Sequence, residues 1–218
     1  MSGPAPDAAY MHRALDLARA QLGRTAPNPA VGCVVVANGA VVGEGATGAG
    51  GRPHAEEIAL GMAGEHARGA IAYVTLEPCS ERSSGSASCS QLLLTAGLAR
   101  VVIACPDPHP LGSQGIERLK AAGIRTDLGL LQTEAMALNA GFFKLVALGR
   151  PLLSIDEDGA RHDAEFDLAQ HETYEQALDR MGAAGLTRVY VRRGTALAAQ
   201  LKARGLVDVD GSSDGSPE

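Results

Sequence analysis

Two short stretches of this chain hold residues of the kinds that bind metals and move protons. Pro53-His54-Ala55-Glu56 leads into a run of helical periodicity. Leu76-Glu77-Pro78-Cys79 closes an apolar run, and Cys89 opens the next helical pattern after the polar stretch Ser80–Ser88. Two thiolates and one neutral imidazole offset the charge of Zn2+ and leave a fourth tetrahedral position for water. A metal held in this way lowers the pKa of that water. An unligated carboxylate beside the site can then take the proton and pass it on. The pattern assigns His54, Cys79 and Cys89 as ligands of one zinc per chain, and Glu56 as the catalytic proton carrier. Either motif alone has a bland explanation, since a histidine at a helix start is usually a cap and a cysteine after a strand a small apolar group. Their occurrence together, in strand–helix order, is what argues for chemistry. Cys33 and Cys105 lie inside apolar runs and read as core residues. Glu77, next to Pro78, reads as structural.

Positioning these groups requires a particular succession of elements. Helical spacing of apolar residues runs from Ala8 to Leu22, with Gly23 as a stop, while residues 1–7 read as a loose leader. The loop TAPNPA follows. Val31–Ala37 and Ala40–Gly45 form a hairpin about Asn38-Gly39. Helices are expected at His54–Ala63, Cys89–Leu98, Gly115–Ala122 and, as one long element, Leu131–Leu148. Strands are expected at Ala70–Leu76, Arg100–Cys105 and Ile124–Leu128. After the hairpin, strands alternate with helices, which predicts a three-layer α/β/α domain with a central mixed sheet, ending near Gly149. His54 and Cys89 then sit at helix N-termini, where the dipole favours thiolate and anionic species.

Composition narrows the function classes. The chain has 218 residues, 45% hydrophobic and 20% charged, as in ordinary globular proteins. Its formal net charge is -6 and aromatic content only 3%, which argues against a nucleic-acid partner and for a small-molecule substrate. The N-terminus lacks the pattern of a secretory signal, and no apolar run is long enough for a membrane span. With four cysteines, a reducing cytoplasmic location is expected.

Zinc deaminases carry His-x-Glu followed by Pro-Cys-x-x-Cys, and this chain differs only in its longer gap between cysteines. The resemblance extends much further. Pro27–Val36 (PNPAVGCVVV), GGRPHAEEIAL (50–60), YVTLEPCS (73–80), AGLARVVIACPDPHP (96–110), AAGI (121–124) and LNAGF (138–142) resemble, in order, the pyrimidine deaminase of riboflavin biosynthesis. In its common form that family is fused to a C-terminal reductase. The resemblance implies a cytidine deaminase-like fold and hydrolytic deamination of a phosphoribosylated diaminopyrimidinone. It also implies substrate-binding roles for Asn28, Asp107 and His109. Thr47 and Glu81 stand where the family usually has histidines, and His109 where it has asparagine, so these pocket positions depart from the pattern. Arg52 and Arg82 are the nearest candidates for the phosphate.

Residues 150–209 read as a truncated reductase-like remnant and 210–218 as a disordered acidic tail. Residues 185–209 resemble the closing strand and helix of the reductase, but the family's Glu-Gly-Gly is replaced by Arg192-Arg193-Gly194. No NADPH binding is expected of this segment, so reductase activity falls to a separate polypeptide. A homodimer is expected, as the commonest closed assembly. Two other readings stay open: a deaminase of another small aminated heterocycle, and a non-catalytic zinc-stabilised interaction protein. An unligated Glu56 argues against the latter.

Overall fold

The computed structural model describes residues 4–82 and 85–211. The chain forms two compact units, one from Met1–Gln21 with Ala30–Asn139, the other from Leu22–Pro29 with Ala140–Glu218.

The first unit begins with α1 (Pro4–Arg19), followed by β1 (Gly32–Ala37) and β2 (Ala40–Ala46). Asn38 and Gly39 both take positive φ, 51° and 80°, the paired left-handed turn that matches the twist of a tight hairpin. Then come α2 (Ala55–Ala63), β3 (Ile71–Leu76), α3 (Cys89–Ala96), β4 (Arg100–Cys105), α4 (Gly115–Ala121), β5 (Arg125–Leu128) and α5 (Gln132–Leu138). The sheet order is β2-β1-β3-β4-β5. β1 is antiparallel to both β2 and β3, whereas β3, β4 and β5 run parallel, so the sheet is mixed as expected.

Strand parity explains the layers. Cys33 and Gly45 are register partners and share a face; Gly32, one residue earlier, points to the other. A Cβ on Gly45 would strike Ala55 and Ile58 of α2, while one on Gly32 would lie 1.9 Å from the Ala14 carbonyl oxygen of α1. Bare backbone is thus what lets α1 and α2 lie close on opposite faces, giving three layers. Val74, Val101, Val102, Ile103 and Ala104 of the two central strands are all buried, as parallel strands covered on both sides must be. Cys33 and Cys105 are fully buried within this core.

Two expectations need correction here. The leader is not loose from residue 4 onward, because α1 already begins at Pro4 and Asp7 is buried against β3 and β4. Tyr73 donates to Asp7 at 2.6 Å, and Arg100 donates to its other oxygen at 2.8 Å. The single helix expected over 131–148 is two, α5 and α6 (Ala140–Leu148). They break at Asn139, whose side chain accepts from the Ala30 amide (3.0 Å) and donates to the Ala30 carbonyl (3.1 Å). An asparagine that can bond backbone elsewhere competes with helix continuation.

The second unit holds three strands beyond the helix that the sequence pattern shows at 174–181 and the strand–helix unit at 188–204. It comprises α6, β6 (Leu152–Asp156), β7 (Ala164–Glu165), α7 (Tyr174–Ala183), β8 (Arg188–Arg192), α8 (Ala196–Ala203) and β9 (Val209–Asp210). Its four-stranded sheet has the order β7-β8-β6-β9, all pairs parallel. Leu153, Ile155, Phe166, Leu178, Met181, Val189, Val191 and Leu201 form its core. The charge-rich segment that masked β7 in the sequence is used locally: the Asp163 carboxylate accepts from Thr187 N, Thr187 Oγ1 and Arg188 N. Asp210, expected to open the tail, closes β9 instead, and residues 212–218 lie outside the described residues.

Candidate active site

The three expected ligands converge at the N-termini of two helices and the end of β3. His54 is the N-cap of α2, its backbone extended at φ -73° and ψ 157°. Cys79 follows β3 by three residues, and Cys89 is the first residue of α3, capped by Ser88. His54 Nδ1 lies 3.1 Å from Cys89 Sγ and 3.8 Å from Cys79 Sγ. One ligand atom from each residue falls within 4.8 Å of the others, the only such His/Cys/Asp/Glu group among the described residues.

The donor set fits zinc. Bonds of about 2.3 Å to sulfur and 2.0–2.1 Å to nitrogen at tetrahedral angles separate S from N by roughly 3.5 Å. The two observed N–S distances bracket that value. Nδ1 faces the sulfurs, so it is the nitrogen that would hold a metal; Nε2 meets the Arg52 guanidinium.

The Cys89 amide donates to Cys79 Sγ at 3.3 Å, placing the positive end of α3 against the first sulfur. A hydrogen bond from the Cys89 thiol holds the Cys79 thiol far below its ordinary range, aided by His54 and opposed by burial. Glu56, in the first turn of α2, is buried. Burial pushes its carboxyl above the usual range, with His54 opposing and Cys79 reinforcing. A carboxyl so placed accepts a proton more readily than an exposed glutamate does, which suits a group that must take one and later give it up.

Three serines and one arginine fix the spacing of the two sulfurs. Ser90 binds the Cys79 carbonyl through both its amide (3.2 Å) and its hydroxyl (3.0 Å). Arg118 of α4 donates through Nη1 to Ser80 O (2.5 Å), Ser88 Oγ (2.9 Å) and Ser90 Oγ (3.0 Å). Sequence reasoning missed Arg118 and Ser90, because nothing in a helical GIERLKA pattern marks one arginine as inward-facing. Glu77 is structural as expected, accepting from Ile116 N (3.0 Å) and Asp107 N (3.4 Å).

The pocket candidates have separate situations. The amides of Ser80 and Glu81 both donate to Leu111 O, which joins the loop after Cys79 to the loop carrying Asp107 and His109. Glu81 is exposed on that rim. Burial raises Asp107 to about 6, although its Oδ1 accepts from the His109 amide at 2.8 Å. His109 Nδ1 accepts from Leu111 N at 3.2 Å. Thr47 is buried, and its hydroxyl accepts from Val31 N at 2.9 Å. The Arg82 side chain is only 5% exposed and pairs with Glu57 at 3.0 Å. Asn28 is half-buried in the 22–29 segment of the second unit, its amide donating to Thr25 O.

A metal triad at helix ends, with a buried glutamate two residues from the histidine, on a mixed α/β/α sheet, defines the zinc-dependent deaminases of the cytidine type. Consistent with that class, residues 4–105 match the cytidine and deoxycytidylate deaminase zinc-binding region. The chain is 47% identical over 146 residues to the diaminohydroxyphosphoribosylamino-pyrimidine deaminase of Buchnera aphidicola, covering 66% of this chain and 99% of that protein. The chain belongs to the diaminohydroxyphosphoribosylaminopyrimidine deaminase family. It is also 46% identical over 168 residues to the riboflavin biosynthesis protein RibD of Escherichia coli, an alignment spanning 77% of this chain but only 45% of the relative. Among solved structures, RibD of Acinetobacter baumannii superposes with a TM-score of 0.82 at 26% identity, covering 94% of this chain and 85% of the other.

Proposed function

We propose that this chain hydrolytically deaminates a phosphoribosylated diaminopyrimidinone of the riboflavin pathway. Water replaces the exocyclic amine, so the products are a ring carbonyl and ammonia. The observation that carries this reading is the convergence of His54 Nδ1, Cys79 Sγ and Cys89 Sγ beside the buried Glu56. Zinc held by these three residues supplies Lewis acidity and lowers the pKa of water. Glu56 takes the proton from water and gives it to the ring nitrogen. It then takes a second from the oxygen newly bonded to the ring carbon and gives it to the departing amine, leaving a ring carbonyl and ammonia. Its burial keeps that proton out of exchange with bulk solvent during the cycle.

Glu81, Asp107 and His109 are our candidates for the ring and ribose contacts, since their two loops are bonded to each other next to Cys79. Asn28 is kept as a contact on the strength of its PNP segment. Thr47 shapes this pocket through its backbone bond to Val31. The same reading has the enzyme act in the cytoplasm as a homodimer. Among the described residues no helix is long and apolar enough to cross a membrane. It treats 1–149 as the deaminase domain and 150–209 as a reductase-like remnant without NADPH binding, leaving reduction to a separate polypeptide.

Ammonia release from the diaminopyrimidinone ribotide tests the proposal. Wild-type protein carrying one zinc per chain is expected to turn over, and Glu56→Gln to retain zinc while losing about 10²–10⁴-fold in kcat. Turnover by Glu56→Gln at the wild-type rate would remove Glu56 from the mechanism. Turnover of other aminated heterocycles but not this one would shift the substrate.

A further inference from the structure

We propose that Glu57 and Arg82 form an outer brace of the zinc site, setting the position of two of its ligands from outside the coordination shell. The proposal rests on the zinc reading above and adds two residues to it.

The brace is a chain of four groups joined by three contacts. Glu57 Oε2 accepts from the His54 backbone amide at 2.8 Å. The same oxygen pairs with Arg82 Nη2 at 3.0 Å. Nη2 in turn donates to Cys89 Sγ at 3.3 Å. Both ends are therefore ligands, one through its backbone and one through its sulfur. Glu57 stands at the third position of α2, where a carboxylate reaches back over the helix start, and Arg82 stands in the loop between the two cysteines.

Burial makes the arrangement consequential. A guanidinium that is 5% exposed has given up most of its hydration, which is tolerable only beside compensating charge. The Glu57 carboxylate at 3.0 Å and the Cys89 sulfur at 3.3 Å supply that compensation. An N–H donated to a zinc-bound sulfur draws charge from it and fixes its direction, and losing such an outer contact typically weakens metal binding about 10–100-fold. Arg82 Nε is buried with no hydrogen-bond partner among the described residues, so the side chain is held from its Nη2 end.

Arg82 Nη2 faces inward, to a carboxylate and a ligand sulfur, which is the orientation a positioning role requires.

The test follows zinc release from the purified, zinc-loaded chain into excess chelator, read with a colorimetric metal indicator. Arg82→Met and Glu57→Gln are each expected to release zinc about 10–100-fold faster than wild type. Glu57→Gln retains the side-chain shape and the bond to the His54 amide, so it guards against simple misfolding. The double variant is expected to be no faster than the worse single one, the mark of two residues acting as a unit. Arg82→Lys, which keeps one charged donor, is expected to recover part of the loss. In zinc-saturated enzyme, Arg82→Met should leave KM for the ribotide near the wild-type value.

Release from Arg82→Met at the wild-type rate would overturn the brace while leaving the zinc reading intact. So would fully additive effects in the double variant, or a raised KM with unchanged zinc release. A wild-type chain that takes up no zinc would overturn both.

Discussion

Replacing Tyr73 by phenylalanine tests whether the start of the chain is a structural part of the first unit. The substitution removes one oxygen atom from a fully buried ring at the centre of β3 and leaves the packing unchanged. That oxygen donates to Asp7 at 2.6 Å, and Asp7, 6% exposed, keeps only Arg100 at 2.8 Å as a second side-chain donor. A hydrogen bond to a charged group contributes about 1.5–3 kcal/mol. At about 1.4 kcal/mol per factor of ten, that corresponds to a roughly 10- to 100-fold rise in the open population of this sheet. β3 pairs with both β1 and β4, so its amides exchange only when the central sheet opens. Hydrogen–deuterium exchange of a peptide spanning 71–76 measures the change directly.

The pH dependence supplies an internal control. Burial, and then Asp7, raise the Tyr73 hydroxyl well above the ordinary tyrosine value. The stability it contributes is thus fully present below pH about 10 and is lost as the pH rises beyond. The gap between wild type and Tyr73→Phe should hold from neutral pH to about 10 and narrow above it. Exchange in Tyr73→Phe within threefold of wild type at neutral pH would refute the reasoning and return residues 4–7 to the status of a loose leader.

Two further predictions concern other parts of the chain. His162 is buried in the second unit with no hydrogen-bond partner for its ring nitrogens among the described residues. Burial lowers its pKa, with Arg188 and Arg161 reinforcing and Asp156 and Asp163 opposing. The unfolded chain therefore takes up the proton first, and stability present above pH about 6.5 is lost as the pH falls below it. Protection of β6 and β8 amides, corrected for intrinsic exchange, should fall between pH 7.5 and 5.5, and His162→Phe should abolish that fall; equal protection at both pH values would refute it. Gly115→Ala would put a Cβ 1.8 Å from the Pro78 carbonyl oxygen, pushing α4 away from the strand end that carries Cys79. We expect a loss of about 1–3 kcal/mol in stability and faster zinc release, measured by denaturation and chelator competition; a neutral effect on both would show that α4 does not hold that loop.

The site was legible where chemistry demands particular residue types at short range. His54 with Glu56, and Cys79 with Cys89, converge because helix starts and strand ends are themselves readable. The alternation of β3, α3, β4, α4 and β5 followed from apolar runs broken by glycine. What escaped notice depended on contacts far apart in sequence. Asp7 looked like a residue of a small, proline-containing leader, and its role exists only through Tyr73 and Arg100. The helix break at Asn139 depends on Ala30, and a helical pattern cannot register a partner so distant. In the second unit, charge in the segment after Asp156 hid a strand, because Asp163 satisfies backbone donors instead of facing water. Arg82 was read as a phosphate candidate, since the direction in which a long side chain faces is set by neighbours that a sequence pattern does not show.

Arg118 touches both ends of the segment between the two ligand cysteines, through Ser80 at one end and Ser88 and Ser90 at the other. Anchored this way, the sulfurs take their spacing from the helix behind them and not from the length of the connecting chain. Apart from Arg82, which faces inward to Glu57 and Cys89, the intervening stretch is then free to gain a residue or swap its chemistry while the reaction centre stays still. That decoupling lets selectivity drift independently of catalytic power, and it marks Glu81 and residues 85–87 as the place to graft new substrate preferences onto an unchanged engine.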